Sequence, residues 1–345
     1  MEHLGFPLET VILFAAVVVL SLFLDLFAHR RDEVISFKSA CLWSVFWVAL
    51  ALAFGVYLYV HHSPEMASLF FTGYALEKVL SVDNLFVMMA IFSWFSIPGQ
   101  YRHRVLYWGV LGAIVFRAIF VAIGAELMSL GPYVELLFAV IVGYTAVMVL
   151  KKKDDEEEIK DYSNHLAFRM VRRFFPVWPR LCGHTFFLSR EKAMEESQRD
   201  NIPIEGMGRA SSLVVTPLFL CLAVIEVSDV MFAFDSVPAV IAVSREPFII
   251  YSAMIFAILG LRSLYFVLES MSGSLVYLEK AVIVLLFFIA FKLMLSGINH
   301  IFHVGFEISP NVSLIIVLGV LATGIIASLL HKPEAKEPDG QADGK

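Results

Sequence analysis

Residues 224–240 read VIEVSDVMFAFDSVPAV, placing Glu226, Asp229 and Asp235 inside an apolar segment that runs from about 213 to 243. An acidic group near the middle of a membrane costs roughly 2.5–3.5 kcal/mol on insertion scales, while each Leu or Val returns only about 0.3–0.6 kcal/mol. Three such groups in one span therefore need compensation from neighbours or from a ligand.

The rest of the chain supports reading that segment as a membrane span. Of 345 residues, 59% are hydrophobic and only 17% charged, with a mean hydropathy of +0.78. A soluble chain of this length needs far more polar surface. The net charge of −6 carries no basic excess, so no nucleic-acid partner is expected. Cys41, Cys182 and Cys221 have no CxxC or Cys/His ligand spacing, which argues against a disulfide framework or a thiolate metal site. The first apolar run, 8–28, follows a segment without Lys or Arg and reads as a retained helix rather than a signal peptide.

Hydropathy predicts an all-α polytopic membrane protein of about nine transmembrane helices, near 8–28, 39–60, 67–96, 105–125, 131–150, 213–243, 248–269, 279–299 and 312–331. Lys and Arg collect after the first and third helices, in the central stretch and in the tail. The positive-inside rule then puts the N-terminus outside and the C-terminus in the cytoplasm.

Self-comparison aligns LSVDNLFVMMA (80–90) with FAFDSVPAVIA (232–242) without a gap, matching Asp83-Asn84 to Asp235-Ser236. Six residues before each aspartate stands another acid, Glu77 or Asp229, and Arg117 in FRAIF corresponds to Arg262 in LRSLY. Two three-helix copies would insert with opposite topology, a 3+3 inverted repeat of the kind that builds secondary transporters. The organisation is then two N-terminal helices (1–66), a first repeat (67–150), a charged and amphipathic cytoplasmic loop (151–211), a second repeat (212–300), a last helix (301–331) and a tail expected to be disordered (332–345).

Convergence of Glu77, Asp83, Glu226, Asp229 and Asp235, with Asn84 and Ser236 beside them, would make an oxygen-only cage suited to a hard divalent cation, Mn²⁺, Mg²⁺ or Ca²⁺. Two other readings stay open. Lys78, Arg117, Arg262 and Lys292 also lie within spans and would neutralise acids as ion pairs or gates, and some carboxylates would relay protons. Pro238 removes the hydrogen bond to the carbonyl of residue 234, so a broken helix beside Asp235 is one expectation. Neither G-x-S-x-G, a Walker A sequence nor H-E-x-x-H occurs, and no enzymatic activity or cofactor is expected.

In the central stretch the run KKKDDEEEIKD (151–161) reads as a solvated linker. HLAFRMVRRFFPVWPR (165–180) interleaves Arg169, Arg172 and Arg173 with Phe174, Phe175 and Trp178, and is expected to contact inner-leaflet lipids or a cytoplasmic partner. Gly183 to Gly208 has room for a small subdomain.

The segments EKVLSVDNLFVMM (77–89), EVSDVMFAFDSVPAVIAVSREP (226–247), GYALEKV (73–79) and YRHRVLYWG (101–109) closely resemble the TerC family of bacterial membrane proteins, and the likeness extends over HLAFRMVRRFFPVWP. The resemblance implies an inner-membrane protein whose Alx-like relatives are linked to manganese efflux, and a soluble TerB-type partner on the cytoplasmic face. A divalent-metal exporter is accordingly expected. The alternatives are a membrane scaffold or metal sensor for a cytoplasmic tellurite-resistance complex, and an oxyanion carrier, which a site lined by carboxylates would disfavour.

Overall fold

Proline opens most of the long apolar helices at a position where its missing N–H costs no hydrogen bond. In a computed structural model, which describes residues 2–3, 6–28, 35–151, 162–206, 208, 211–244, 246–271, 277–302 and 308–330, this holds for α3 (Pro64–Trp94), α5 (Pro132–Lys151), α8 (Pro217–Val243), α9 (Pro247–Leu259) and α12 (Pro310–Leu330). The Ser63 hydroxyl caps α3 by accepting from the Met66 amide at 3.2 Å, and Ser309 caps α12 through Val312 at 3.4 Å. The other helices are α1 (Leu8–Ala28), α2 (Phe37–His61), α4 (Gly99–Ser129), α6 (Leu166–Phe174), α7 (Arg190–Asp200), α10 (Leu261–Ser270) and α11 (Leu278–Phe302). The charge run from residue 152 to 161, Arg245 and the tail from 331 onward lie outside the described residues.

Among the described residues six helices are long and apolar enough to cross a membrane: α1, α2, α4, α8, α11 and α12. The pair α9 and α10, bent by 45° at Gly260, passes the same test only when taken together, as a broken span or a re-entrant loop, and brings the number to seven if it is one span. The two remaining expected positions are helical but differ in kind. The 31-residue α3 carries Glu77, Lys78 and Asp83 in its middle, and the apolar part of α5, Pro132–Met148, is short. The one helix expected over 248–269 is thus divided at Gly260, whereas α8 runs unbroken through Pro238, where the sequence suggests a break. Neighbouring helices re-satisfy the backbone groups that an intramembrane proline frees.

Helix α3 sits at the centre, packed on α2, α8, α9 and α12, while α4 lies on α8 and α9, and α5 lies along α11. An aromatic seam ties α2, α3 and α9 together: Phe54 meets Phe70 at 5.4 Å and Phe256 at 4.9 Å between ring centroids. Outward-facing Phe23, Leu42, Val140 and Ile315 are more than half exposed, the surface that a lipid-facing belt requires.

The central stretch folds as a small subdomain. Strands β3 (Phe187–Ser189) and β4 (Leu213–Val215) pair antiparallel, with Leu188 opposite Val214, and the short strands β1 (Glu2–His3) and β2 (Phe6–Pro7) pair at the N-terminus. Trp178, Leu188, Ala193 and Val214 form its core, with Cys182, Ile202 and Ile204 against it.

Candidate functional site

Arg117 is the centre of the buried polar cluster. It stands near the middle of α4, is 2% exposed, and faces two acids contributed by different helices. Its guanidinium pairs with the Glu77 carboxylate of α3, and its Nη2 donates to Asp229 Oδ1 of α8 at 3.1 Å. Asn84 Nδ2 reaches the same Asp229 oxygen at 3.5 Å, and the Ser81 hydroxyl donates to Glu77 Oε1 at 3.2 Å. Glu77 and Asp229 are the two acids that the internal alignment matches. The structure brings them to one arginine.

Glu226 lies one turn before Asp229 and on the same face. Gly112 of α4 makes room for it: a Cβ at that position would collide with the Glu226 carboxylate. Its Oε2 is buried and has no hydrogen-bond partner among the described residues, and the same holds for Glu77 Oε2, Asp229 Oδ2 and the Ser236 hydroxyl. Two carboxylates therefore share one guanidinium, and a third, Glu226, stands one turn away, with acceptor atoms to spare. Among the described residues no group of three His, Cys, Asp or Glu side chains is arranged to hold a metal ion. The side chains of Asp83 and Asp235 lie outside that set.

The other expected bases are employed elsewhere. Arg262, buried in α10, pairs with the Asp25 carboxylate and donates to the Asp25 backbone carbonyl at 3.1 Å, tying α1 to the broken span. Lys78 donates to the Ala257 carbonyl of α9 at 3.0 Å. Lys292 lines a cavity of about 330 Å³ with Glu65, Val243, Ser296 and Pro310. Two contacts escaped the sequence reading: His300 of α11 stands 3.3 Å from Glu135 of α5, and Arg102 pairs with Glu269. Asp25 alone gave a signal, as an acid within the first apolar run.

On α6, Leu166, Met170 and Phe174 recur every four residues, are 62%, 50% and 62% exposed, and lie beside the exposed Arg169 and Arg173. The opposite face is anchored, with Phe168 5.6 Å from Trp94 between ring centroids. Arg172 pairs with Glu205 and sits 5.3 Å from the Phe168 ring centre. Trp178, expected at a lipid or partner surface, is instead 1% exposed, because β3, β4 and α7 close over it.

In the subdomain, burial first and then the Glu196 carboxylate, to which the thiol donates at 3.4 Å, push the Cys182 pKa up to about 11. The thiolate is the reacting form, so alkylation of Cys182 at pH 8 is expected to run on the order of a hundredfold slower than that of an ordinary exposed thiol. Glu196→Gln is expected to speed it. Mass-spectrometric time courses with iodoacetamide check both.

Comparison with known proteins accords with this architecture. The model of the "Integral membrane protein TerC family" matches residues 62–336. A tellurium resistance protein TerC of Serratia marcescens is 64% identical over 340 residues, covering 97% of this chain and 98% of its own. A protein of the same name from an Alcaligenes species is 63% identical over 341 residues, covering 98% and 99%. A protein of Photorhabdus laumondii described as a candidate membrane-bound redox modulator, Alx, is 36% identical over 300 residues, covering 84% and 86%. No solved structure matches the chain. With most of its length matched by one family model and by full-length relatives, the chain belongs to the TerC family of integral membrane proteins.

Proposed function

We propose that the protein binds a divalent metal ion as substrate, Mn²⁺ by preference, between α3, α4 and α8, and exports it across the bacterial inner membrane. The observation that carries the proposal is the charge count around Arg117: Glu77 and Asp229 share its guanidinium, Glu226 stands one turn before Asp229 against Gly112 with no base paired to it among the described residues, and Asp83 and Asp235 belong to the same two acidic helices. Hard carboxylate and amide oxygens favour Mn²⁺, Mg²⁺ or Ca²⁺ over softer metals. In this reading the guanidinium and the metal compete for Glu77 and Asp229, so metal entry displaces Arg117 and its departure lets the ion pair re-form.

The helix pairings support a 3+3 inverted repeat. Exchanging α3 with α8, α4 with α9–α10 and α5 with α11 turns the α3–α9 contact into α8–α4, and maps α3–α8, α4–α9 and α5–α11 onto themselves. With the N-terminus outside and the C-terminus cytoplasmic, both acidic helices cross the membrane beside each other in opposite directions. An oxyanion as cargo fits less well, because Arg117 and Arg262 are each already matched by carboxylates. Tellurium resistance, for which the Serratia and Alcaligenes relatives are named, then follows indirectly from metal handling.

A second reading rests on the exposed stripe Leu166, Met170 and Phe174 with Arg169 and Arg173, which suits docking to inner-leaflet lipids or to a cytoplasmic TerB-like partner. The two readings separate in cells. Asp83→Asn and Asp235→Asn, at wild-type expression, are expected to raise cellular manganese and manganese sensitivity, measured by elemental analysis and growth. Unchanged manganese in both variants, with tellurite tolerance lost in Leu166→Ser/Phe174→Ser, favours the scaffold.

A further inference from the structure

The geometry points to a monovalent-cation site at the α9–α10 break whose resident occupant is the tethered ammonium of Lys78. The span is bent by 45° at Gly260, and the helical hydrogen bonding resumes beyond it, with the Leu264 amide donating to the Gly260 carbonyl. Ala257 O, in the last turn of α9 and near the negative end of its helix dipole, receives a side-chain donor, while Ile258 O accepts from the Gly260 amide. Discontinuous transmembrane helices use such ends to hold coupling cations in transporters.

Here Lys78 Nζ donates to Ala257 O at 3.0 Å. Among the described residues no carboxylate pairs with it, so the break itself is what receives the ammonium. Gly260 completes the seat, because a Cβ there would stand 2.8 Å from Lys78 Nζ and 2.9 Å from Cβ of the buried Trp47. Consecutive helical residues diverge by about 100°, so Glu77 addresses Arg117 while Lys78 addresses α9 from the same turn of α3. A lysine in this position supplies the positive charge permanently, and a protein so built needs no free Na⁺ or K⁺ at this place. Nothing in the inference depends on the identity of the metal cargo, since it is read from monovalent ions alone.

The test uses the full chain, purified in nanodiscs, with thermal unfolding followed in NaCl, KCl or N-methyl-D-glucamine chloride at one ionic strength. Wild type is expected to melt at the same temperature in all three. Lys78→Ala, and Lys78→Gln in case the smaller side chain fails to fold, are expected to be stabilised by Na⁺ or K⁺ by roughly 2–4 °C at tenfold the dissociation constant. The difference between the two salts identifies the ion. Gly260→Ala in the Lys78→Gln background fills the seat and is expected to abolish the response. Folded Lys78 variants that melt alike in all three salts overturn the proposal and leave Lys78 as a helix cap, and so does a wild-type protein with the same Na⁺ response as the variants.

Discussion

Arg117→Gln is expected to destabilise the protein by about 3–5 kcal/mol, the cost of leaving buried carboxylates without their counter-charge. The side chain is 2% exposed and serves both Glu77 and Asp229, so truncating it strands two anions in a low-dielectric interior. Removing the acids as well separates charge from packing. In Glu77→Gln/Asp229→Asn/Arg117→Gln neither of Arg117's two partners is left charged, and most of the lost stability is expected to return, since a buried ion pair replaced by neutral groups of similar volume is often close to neutral in free energy. Unfolding in a membrane mimic by heat or denaturing detergent checks both variants. A wild-type melting temperature for Arg117→Gln overturns the assignment of Arg117 as the hub.

This hub also marks how far the sequence could be read. The acids were legible because a carboxylate in an apolar helix is costly, and because Glu77 and Asp229 stand at equal distances from Asp83 and Asp235. Their convergence on one guanidinium follows from the contact of α3, α4 and α8, which spacing along one chain does not specify. Arg117 and Arg262 occupy matching positions in the alignment but make different pairs in the structure, where Arg262 holds Asp25 of α1, a helix outside both proposed copies. A repeat constrains the contacts within and between its copies, whereas flanking helices are free to break its symmetry.

The breaks tell a similar story. Pro238 announces itself as a helix breaker, yet α8 continues through it, since α3, α4 and α11 pack around that helix and hold it. Gly260, silent in hydropathy, is where the chain bends between α9 and α10, and the surroundings are tertiary: Trp47 and Lys78 fill the space a side chain would need. The subdomain shows the same limit. Trp178 reads as an interfacial anchor from its arginine-rich neighbours, but three short elements distant in sequence enclose it. The exposed side of α6 was legible in part, through Arg169, Arg173 and Phe174, because its periodicity is local; Leu166 and Met170 join that side in the structure.

Glu226→Gln is expected to separate stability from function. Unlike Asp229, which receives hydrogen bonds from Arg117 and Asn84, Glu226 has no donor on its buried Oε2 and rests against Gly112. A half-buried carboxylate with one enclosed oxygen lacking a donor is a burden on folding, and replacing it by an amide of the same shape removes the charge, so the variant is expected to be as stable as wild type or about 1 kcal/mol more stable. If that carboxylate is retained to hold a divalent cargo, its loss should weaken Mn²⁺ binding by roughly 10–100-fold, the range seen when a metal site loses a supporting group. Asp229→Asn, by contrast, should lower both stability and binding, because it weakens the pair with Arg117. Calorimetric titration of Mn²⁺ together with melting curves in nanodiscs reads both quantities on one preparation. A Glu226→Gln protein that melts no lower than wild type and still binds and exports Mn²⁺ normally would leave the acidic cluster as a purely structural network, with the metal site elsewhere.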